Sequence, residues 1–328
     1  MNNQSVKHSI STQVLKSYFK ARSLFPLWLY VLNRKPRNLW RRDNLALTAL
    51  QERIVRDLQE TGIAITHVDD LLADKHVMPA LQQYAAQLRT DAKVARPNKQ
   101  FLQYMWDSIS PIDLKNPFVQ FSLEPAIVDA VNAYMGMYSH FYYSTLNVTT
   151  PMPLEAQATA SQRWHRDPED TKMCKIFLYL NDVDETAGPF CYLPQSAAGL
   201  RYGSLFPQQQ PLGFYPADDE VKRAIDDNMV MKCVGRVGTL VFCNTAGLHY
   251  GGYATQKERI MYTGGFRSSA SVTHSQVTYP AGLDKDVRAR GLTSAIQYAV
   301  KPSNPSRMSL AFFGAYKRRG LRNLAKGM

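Results

Sequence analysis

The stretch RWHRDPED, residues 163–170, places a histidine and an aspartate two positions apart in a run with a charge at nearly every position. In a β-strand, alternate side chains point to the same face, so His165 and Asp167 would share one face. Two potential ligands on one face are the first requirement for a shared metal ion. The pattern also fits a hydrogen-bonded pair at a polar strand end, so the rest of the chain decides between the two interpretations.

A third potential ligand follows another strand-like stretch, GTLVFCNTAGLHYGG at residues 238–252. There, His249 comes just after an apolar run, and the glycines around it allow close backbone approach. Two imidazoles and one carboxylate form the facial triad of non-haem Fe(II) enzymes, which leaves coordination positions open. Each side chain has an ordinary structural explanation when taken alone, whereas the ordered set favours a metal site.

One arginine extends this pattern. Arg259 lies shortly after His249, in the strand-like stretch QKERIMYTGGF. A guanidinium on a neighbouring strand can reach the same pocket and bind a carboxylate through two hydrogen bonds, the alternative being an exposed strand residue. Zinc hydrolysis is the competing chemistry. The sequence lacks the H-E-x-x-H arrangement, however, and a cation beside the metal suits a dicarboxylate better than a hydrolytic water.

The distribution of apolar and turn residues along the chain predicts a β-rich body with helices at both ends. With 328 residues and 45% apolar content, the chain can bury a sizeable core. Residues 44–60 repeat apolar positions at helical spacing, at Leu50, Ile54 and Leu58 among others, and Gly62 ends the pattern. From about residue 117, short β-branched and aromatic runs alternate with turn residues, which predicts a sandwich or barrel.

We divide the chain into three predicted parts. They are a basic N-terminal helical segment (1–58), a β-rich domain (59–275) and a basic C-terminal extension, predicted to be helical (276–328). Within the domain, residues 197–228 are long for a connection and form a candidate lid or substrate loop.

The net charge of +12 is concentrated at the two ends, because nine Lys and Arg residues precede the first acid, Asp43, and no acid follows Asp286. Residues 15–43 are basic and aromatic, a composition that is compatible with peripheral contact with an anionic membrane surface. The alternatives are a polyanionic substrate, a targeting peptide, or a helix packed by its aromatic face on the main domain. No helix-turn-helix, zinc-finger or RNP-like pattern accompanies the charge, so nucleic-acid binding is disfavoured.

The cysteines and apolar runs bear on the compartment. Four cysteines with no C-x-x-C pair indicate a reducing compartment, with the cytoplasm as the simplest location. The apolar stretch FPLWLYVL, residues 25–32, is much shorter than the roughly 20 residues of a membrane span.

WHRDPED, KIFLYLNDVDETAGPFCYLPQS, GTLVFCNTAGLHYGG and Arg259 together resemble the phytanoyl-CoA dioxygenase family of Fe(II)/2-oxoglutarate dioxygenases, over roughly residues 60–270. The resemblance implies a double-stranded β-helix, a jelly-roll or cupin-like barrel. It also implies functional residues, which fall into two groups. The iron ligands are His165, Asp167 and His249; the 2-oxoglutarate contacts are Arg259 at the distal carboxylate, with Asn147 and Tyr179 beside the cosubstrate. Ala197 replaces a histidine that is frequent in the family, so no substrate contact is carried over there.

The resemblance also implies a reaction. An enzyme of this kind uses Fe(II), 2-oxoglutarate and O2, with ascorbate as an accessory reductant. We expect hydroxylation of a C–H bond in an anionic or amphipathic small molecule, with release of succinate and CO2. The retained Asp167 argues against a halogenase, and Asp170 is a candidate to orient the ligands. Two other hypotheses remain: a cupin-like barrel that binds without catalysis, and an oxygenase recruited to membranes or nucleic acid by its basic ends.

Overall fold

Antiparallel sheets form the centre of the molecule in the computed structural model. The model describes residues 14, 17–89, 93–94, 101–106, 110–153, 156–210, 213–271, 273 and 275–302. The strands are β1 Ile63–His67, β2 Lys93–Val94, β3 Leu102–Tyr104, β4 Ser110–Pro111, β5 His140–Thr149, β6 Met173–Tyr179, β7 Phe190–Tyr192, β8 Met231–Cys233, β9 Thr239–Cys243, β10 His249–Gly251, β11 Arg259–Arg267 and β12 Val277–Thr278.

Helices surround these strands in sequence and in space. The α-helices are Arg34–Asp43, Ala49–Glu60, Val68–Leu71, Val77–Arg89, Pro117–Ser122, Pro125–Met135, Asp218–Ala224, Leu283–Ala289 and Ser294–Ala299, with a π-helical segment at Leu27–Leu32 and 3-10 turns at Ala160–Gln162 and Asp227–Met229.

The larger sheet has seven strands in the order β1-β9-β6-β11-β5-β3-β2, and a second sheet has the order β10-β7-β8. The strand pairs within both sheets are antiparallel. β12 pairs in parallel with β4 outside them. The two sheets pack through a buried cluster in which the ring centroids of Phe177 and Phe190 are 4.4 Å apart.

Alternate side chains of β6 point to opposite faces of the sheet, one toward the apolar core and the other toward the site. Cys174, Ile176 and Leu178 belong to the large apolar core shared with the helices, while Lys175 and Phe177 line a cavity on the opposite face. Because the side-chain period of a strand is two, one strand supplies both environments.

The predicted helix before Gly62 is confirmed over Ala49–Glu60, where Ile54 and Leu58 are fully buried. Thr48 and Gln51 form a capping box at its start, which satisfies backbone N–H groups that the helix leaves unpaired. The predicted boundary between residues 58 and 59 lies inside this helix, which is continuous across it.

The segment before this helix is tied to the body through Trp28, whose side chain is 1% exposed. Its indole Nε1 donates to Asp170 Oδ1 at 2.7 Å, and the backbone N–H of Ser268 donates to Asp170 Oδ2 at 2.7 Å. This arrangement gives Asp170 a structural role. The aspartate was expected to orient ligands, whereas its carboxylate joins the N-terminal segment to the end of β11.

The sequence predicts a jelly-roll barrel, and the structure supports the coarser part of that prediction. The described residues form antiparallel sheets with helices packed on them, but the two sheets are not joined by hydrogen bonds into a closed barrel within the described ranges. The C-terminal extension contains β12 and two short helices up to residue 302, and residues 303–328 lie outside the described ranges. None of the helices in the described part of the chain is both long and apolar enough to cross a membrane.

Candidate metal centre

Backbone hydrogen bonds bring the three predicted ligands together. His165 and His249 form an isolated antiparallel bridge, in which each backbone N–H donates to the other residue's carbonyl at 3.0 Å. Two residues later, the N–H of Asp167 donates to the carbonyl of Thr245 at 2.8 Å. The RWHRDPED stretch therefore runs beside the start of β10, and residues far apart in sequence share one site.

The ligand atoms converge as a metal site requires. Asp167 lies 3.9 Å from His165 Nε2 through its Oδ1 and 3.8 Å from His249 Nε2 through its Oδ2. One ligand atom from each of the three residues lies within 4.8 Å of the others. Since metal–imidazole bonds are about 2.1 Å long, these separations allow one ion to contact all three side chains.

Both imidazoles are oriented by the backbone. His165 Nδ1 lies 2.8 Å from the carbonyl of Arg163, and His249 Nδ1 lies 3.0 Å from the carbonyl of Gly247. An Nδ1–H that donates to a carbonyl leaves Nε2 unprotonated and available to a cation. Burial lowers the pKa of His249 to about 3, with a further contribution from His165, so this ring is neutral at physiological pH.

A buried lysine controls the charge of Asp167. Lys175 Nζ donates to Asp167 Oδ2 at 2.6 Å, and both side chains are largely shielded from solvent. Burial alone would raise the pKa of Asp167, but Lys175 and then the two imidazoles bring it below its ordinary value. The carboxylate is therefore held ionised, which is the form that binds a metal.

Glu169 is a second carboxylate in this region. Its Oε1 lies 3.9 Å from Lys175 Nζ, and its Oε2 is buried with no hydrogen-bond partner in the described part of the chain. Burial, followed by the negative charge of Asp167, raises the pKa of Glu169 to about 7. The site thus holds two neighbouring carboxylates with different environments.

Arg259 lies in the same cavity, at the start of β11. The residue is 4% exposed; its guanidinium donates to the Gly188 carbonyl and, at 3.1 Å, to Thr149 Oγ1. Its Nε is buried and unpaired among the described residues, and so is Oδ1 of Asn147, two residues before Thr149 on β5. Burial lowers the pKa of Arg259 from its ordinary value, so an anion beside it would be stabilising.

The cavity that contains these groups has a volume of about 480 Å³. Its wall includes the three ligands, Asn147 and Arg259. Aromatic side chains form much of the remainder: Tyr104, Tyr143, Phe177, Phe190, Phe214 and Tyr215. Cavities of this size and lining are typical of small-molecule sites.

The candidate substrate loop contributes to this wall. Phe214 and Tyr215 belong to it, and the Tyr215 ring centroid is 5.3 Å from that of His165. Arg166 secures the loop, because its buried guanidinium donates to the carbonyls of Ser196, Leu205 and Phe206, among others. The loop is therefore anchored by the residue between two of the ligands.

The structure brings five of the six predicted site residues to the cavity, and Tyr179 lies outside its lining. The Tyr179 hydroxyl donates to the Cys233 carbonyl at 2.7 Å and accepts from the N–H of Phe190 at 3.2 Å. A cosubstrate role for Tyr179 stays a prediction.

Lys175, Glu169 and Thr149 are not among the site residues predicted from the sequence. A lysine inside the apolar run KIFLYL was the available signal, because a charge on a buried strand requires a partner. Thr149 and Glu169 carried no comparable signal, since a threonine on a strand and a glutamate in a charged turn are both ordinary.

Several solved structures are similar in fold to this chain. A crystal structure of the epimerase SnoN in complex with Fe3+, alpha ketoglutarate and nogalamycin RO has a TM-score of 0.53 and 13% identity, and the match covers 70% of this chain and 87% of that chain. A structure of EctD from S. alaskensis with 2-oxoglutarate and 5-hydroxyectoine has a TM-score of 0.49 and 14% identity, covering 69% and 77%. HygX from Streptomyces hygroscopicus, with nickel, 2-oxoglutarate and hygromycin B bound, has a TM-score of 0.45 and 14% identity, covering 68% and 88%.

At 13% identity, the match to SnoN shows a shared fold. No protein-family model matches the sequence, and no curated protein matches it. This chain therefore has the fold of SnoN, and it carries a buried cluster of two histidines and one aspartate.

Proposed function

We propose that this chain is an Fe(II)- and 2-oxoglutarate-dependent oxygenase that acts on a small molecule. The observation that carries the proposal is the placement of His165, Asp167, His249 and a buried Arg259 in the wall of one cavity. An iron ligand set and a carboxylate-binding cation in the same enclosed space are what a metal chelated by a dicarboxylate requires.

The residues fit the metal. Both imidazoles have Nδ1 directed at backbone carbonyls, and Asp167 is kept ionised by Lys175. Together the three side chains would hold Fe(II) and leave positions for other ligands. Iron bound with 2-oxoglutarate supplies the activation of O2 and the oxidation of substrate, with succinate and CO2 as coproducts.

The residues also fit 2-oxoglutarate. Arg259 and Thr149 would bind its distal carboxylate. Asn147 lies in the same cavity wall and would serve the cosubstrate through its amide nitrogen, since only the nitrogen can donate to an oxygen of 2-oxoglutarate. Since Arg259 is buried without a carboxylate partner among the described residues, an anion at this position satisfies its charge.

The remaining cavity residues would position the substrate and exclude water. The aromatic side chains provide apolar surface around the metal position, and the loop held by Arg166 covers one side. We propose hydroxylation of a substrate C–H bond as the outcome. SnoN is an epimerase, so this fold hosts other outcomes, and product analysis distinguishes them.

Anaerobic titration with Fe(II) and 2-oxoglutarate tests the proposal. We expect a weak visible charge-transfer band in the wild type, its loss in His165→Ala, and weaker 2-oxoglutarate binding in Arg259→Ala. The exposed residues His76 and Arg223 provide matched controls, because His76→Ala and Arg223→Ala should retain the band. Folded wild-type protein that gives no band would instead support a barrel without this catalysis.

Contact of residues 15–43 with an anionic membrane stays part of the proposal, as does an amphipathic substrate. Leu24, Phe25, Tyr30 and Val31 are each more than half exposed, and exposed basic side chains follow them in the helix Arg34–Asp43. Partition of the protein to phosphatidylserine vesicles should fall when Val31 is changed to Glu, and should be unchanged by Val234→Glu, a matched change at another exposed valine. Equal partition of the two variants would contradict membrane contact.

A further inference from the structure

The polar groups of the cavity differ in whether they already have partners, and this difference bears on the substrate. Three cationic side chains border the cavity. Lys175 is engaged by Asp167 at 2.6 Å, and Arg259 is assigned to 2-oxoglutarate by the proposed function on which this inference rests. The guanidinium of Arg166 donates to backbone carbonyls of the loop that it anchors and to those of Ser196 and Ala246. No cation is left over for a charged acidic group on the substrate within the described part of the wall.

The group that remains is an acceptor. The Glu169 side chain is 12% exposed and lies in the cavity wall. Its carboxylate has no side-chain hydrogen bond among the described residues, since Lys175 Nζ is 3.9 Å from Oε1 and Oε2 has no partner. A buried carboxylate oxygen without a donor is costly, so a ligand that brings a donor is stabilised there.

The neighbourhood of Glu169 also restricts the charge of that donor. The ammonium group of Lys175 lies within 4 Å of the carboxylate, and a second ammonium bound to the same carboxylate would be close to it. Like charges at such distances repel strongly in a shielded site. An uncharged hydroxyl donates a hydrogen bond without that repulsion.

Aromatic rings flank the same part of the cavity. Tyr143 lies beneath Lys175, whose Nζ is 4.8 Å from its ring centroid, and Tyr215 lies beside His165. Both rings line the cavity together with Glu169. Aromatic faces beside an acceptor suit a ring-shaped molecule that carries hydroxyl groups.

We infer that Glu169 recognises the substrate, and that the substrate is an uncharged, hydroxyl-bearing molecule whose ring body packs against Tyr143 and Tyr215. The basic ends of the chain had favoured an anionic substrate. None of the described basic side chains of residues 17–43 lines the cavity, and each cation in the described part of its wall is already engaged, so an anionic group on the substrate would find no cationic partner there.

Three phenyl glycosides that share a ring framework and differ in charge test the inference. They are phenyl β-glucoside, which is neutral, phenyl β-glucuronide, which is anionic, and phenyl β-glucosaminide, which is cationic. Binding is measured by ligand-observed NMR titration of the whole protein loaded with Ni(II) and 2-oxoglutarate, without turnover. We expect the glucoside to bind roughly ten-fold more tightly than the glucuronide. Glu169→Gln should remove most of this preference, while Glu60→Gln, at an exposed helix end, should retain it.

Each result bears on the inference. Tighter binding of the glucuronide or the glucosaminide by the wild type, or no binding of any probe, would overturn it, and these measurements do not depend on a variant that folds. A glucoside preference that persists in Glu169→Gln would overturn the role of Glu169. The Fe(II)–2-oxoglutarate band of the same preparation reports on the proposed function separately, so failure of one is distinguishable from failure of the other.

Discussion

At the scale of single residues, Lys175 links the sheet to the candidate metal ligands. Its ammonium holds Asp167 in one orientation and keeps it ionised, although the lysine itself would not contact the metal. Burial opposes a charge on Lys175, but Asp167 and other neighbouring groups raise its pKa well above the ordinary value. Lysine and aspartate therefore hold each other in the charged state.

We predict that Lys175→Met weakens metal binding by roughly ten-fold, because residues that orient metal ligands typically contribute ten- to hundred-fold in affinity. The measurement is a Co(II) titration followed by its visible absorption, whose shape also reports ligand geometry. Lys232→Met is the matched control, since Lys232 is exposed and pairs with Glu185 away from the site. Equal affinity of the two variants would show that Lys175 does not position Asp167.

At the scale of secondary-structure elements, Gly62 determines how the helix Ala49–Glu60 passes into β1. Its φ of +86° lies in the left-handed region, which L side chains rarely adopt. A Cβ at this position would lie 2.3 Å from the Tyr192 hydroxyl, on the second sheet. The turn is thus restricted by both backbone conformation and packing.

We predict that Gly62→Ala lowers the free energy of unfolding by about 2–4 kcal/mol, from left-handed strain together with overpacking. Gly136→Ala separates the two effects, because Gly136 has a φ of +71° and nothing within 4 Å of the added Cβ. In that variant, the free energy of unfolding should fall by only about 1 kcal/mol. Urea denaturation measures both, and addition of Tyr192→Phe should recover part of the loss at Gly62. Similar losses in the two glycine variants would argue against the packing effect.

At the scale of the whole molecule, His140 connects the central sheet to the C-terminal segment. It is buried on β5, where its Nδ1 lies 2.9 Å from the Lys301 carbonyl and its Nε2 lies 3.0 Å from Ser269 Oγ. Its ring also packs on Tyr298, with centroids 4.7 Å apart. Burial lowers the pKa of His140 to about 4, so the folded protein favours the neutral ring.

This lowered pKa predicts a loss of stability in acid. Between pH 6.5 and about 4, the unfolded chain binds a proton at His140 that the folded protein does not bind, so stability falls as pH falls through this window. The loss is at most about 3 kcal/mol. Urea denaturation should show that His140→Gln is less stable than wild type at pH 7 and nearly equal at pH 4. His76→Gln, at an exposed position, is the control. A difference that is independent of pH would contradict the prediction.

The sequence predicted the candidate ligand set and determined several elements through local signals. The spacing of His165 and Asp167, the glycines around His249 and the apolar positions of Ala49–Glu60 each depend on periods of two or 3.6 residues that are visible in a linear chain. The same local patterns predicted a β-rich body and a candidate lid or substrate loop. They left a sandwich and a barrel open, and barrel closure, which depends on how the sheets meet, stays a prediction.

Only the tertiary structure decided which partners the buried charges have. The register of β5 and β11 places Thr149 beside Arg259, and the turn before β6 brings Lys175 back to Asp167 and Glu169. Asp170 shows the converse, because its sequence context made it a candidate to orient the ligands while its carboxylate bonds Trp28 and Ser268. The physical reason is that a charge or hydroxyl satisfies its hydrogen bonds with whatever groups the fold brings within about 3 Å, and sequence spacing does not encode that distance across strands.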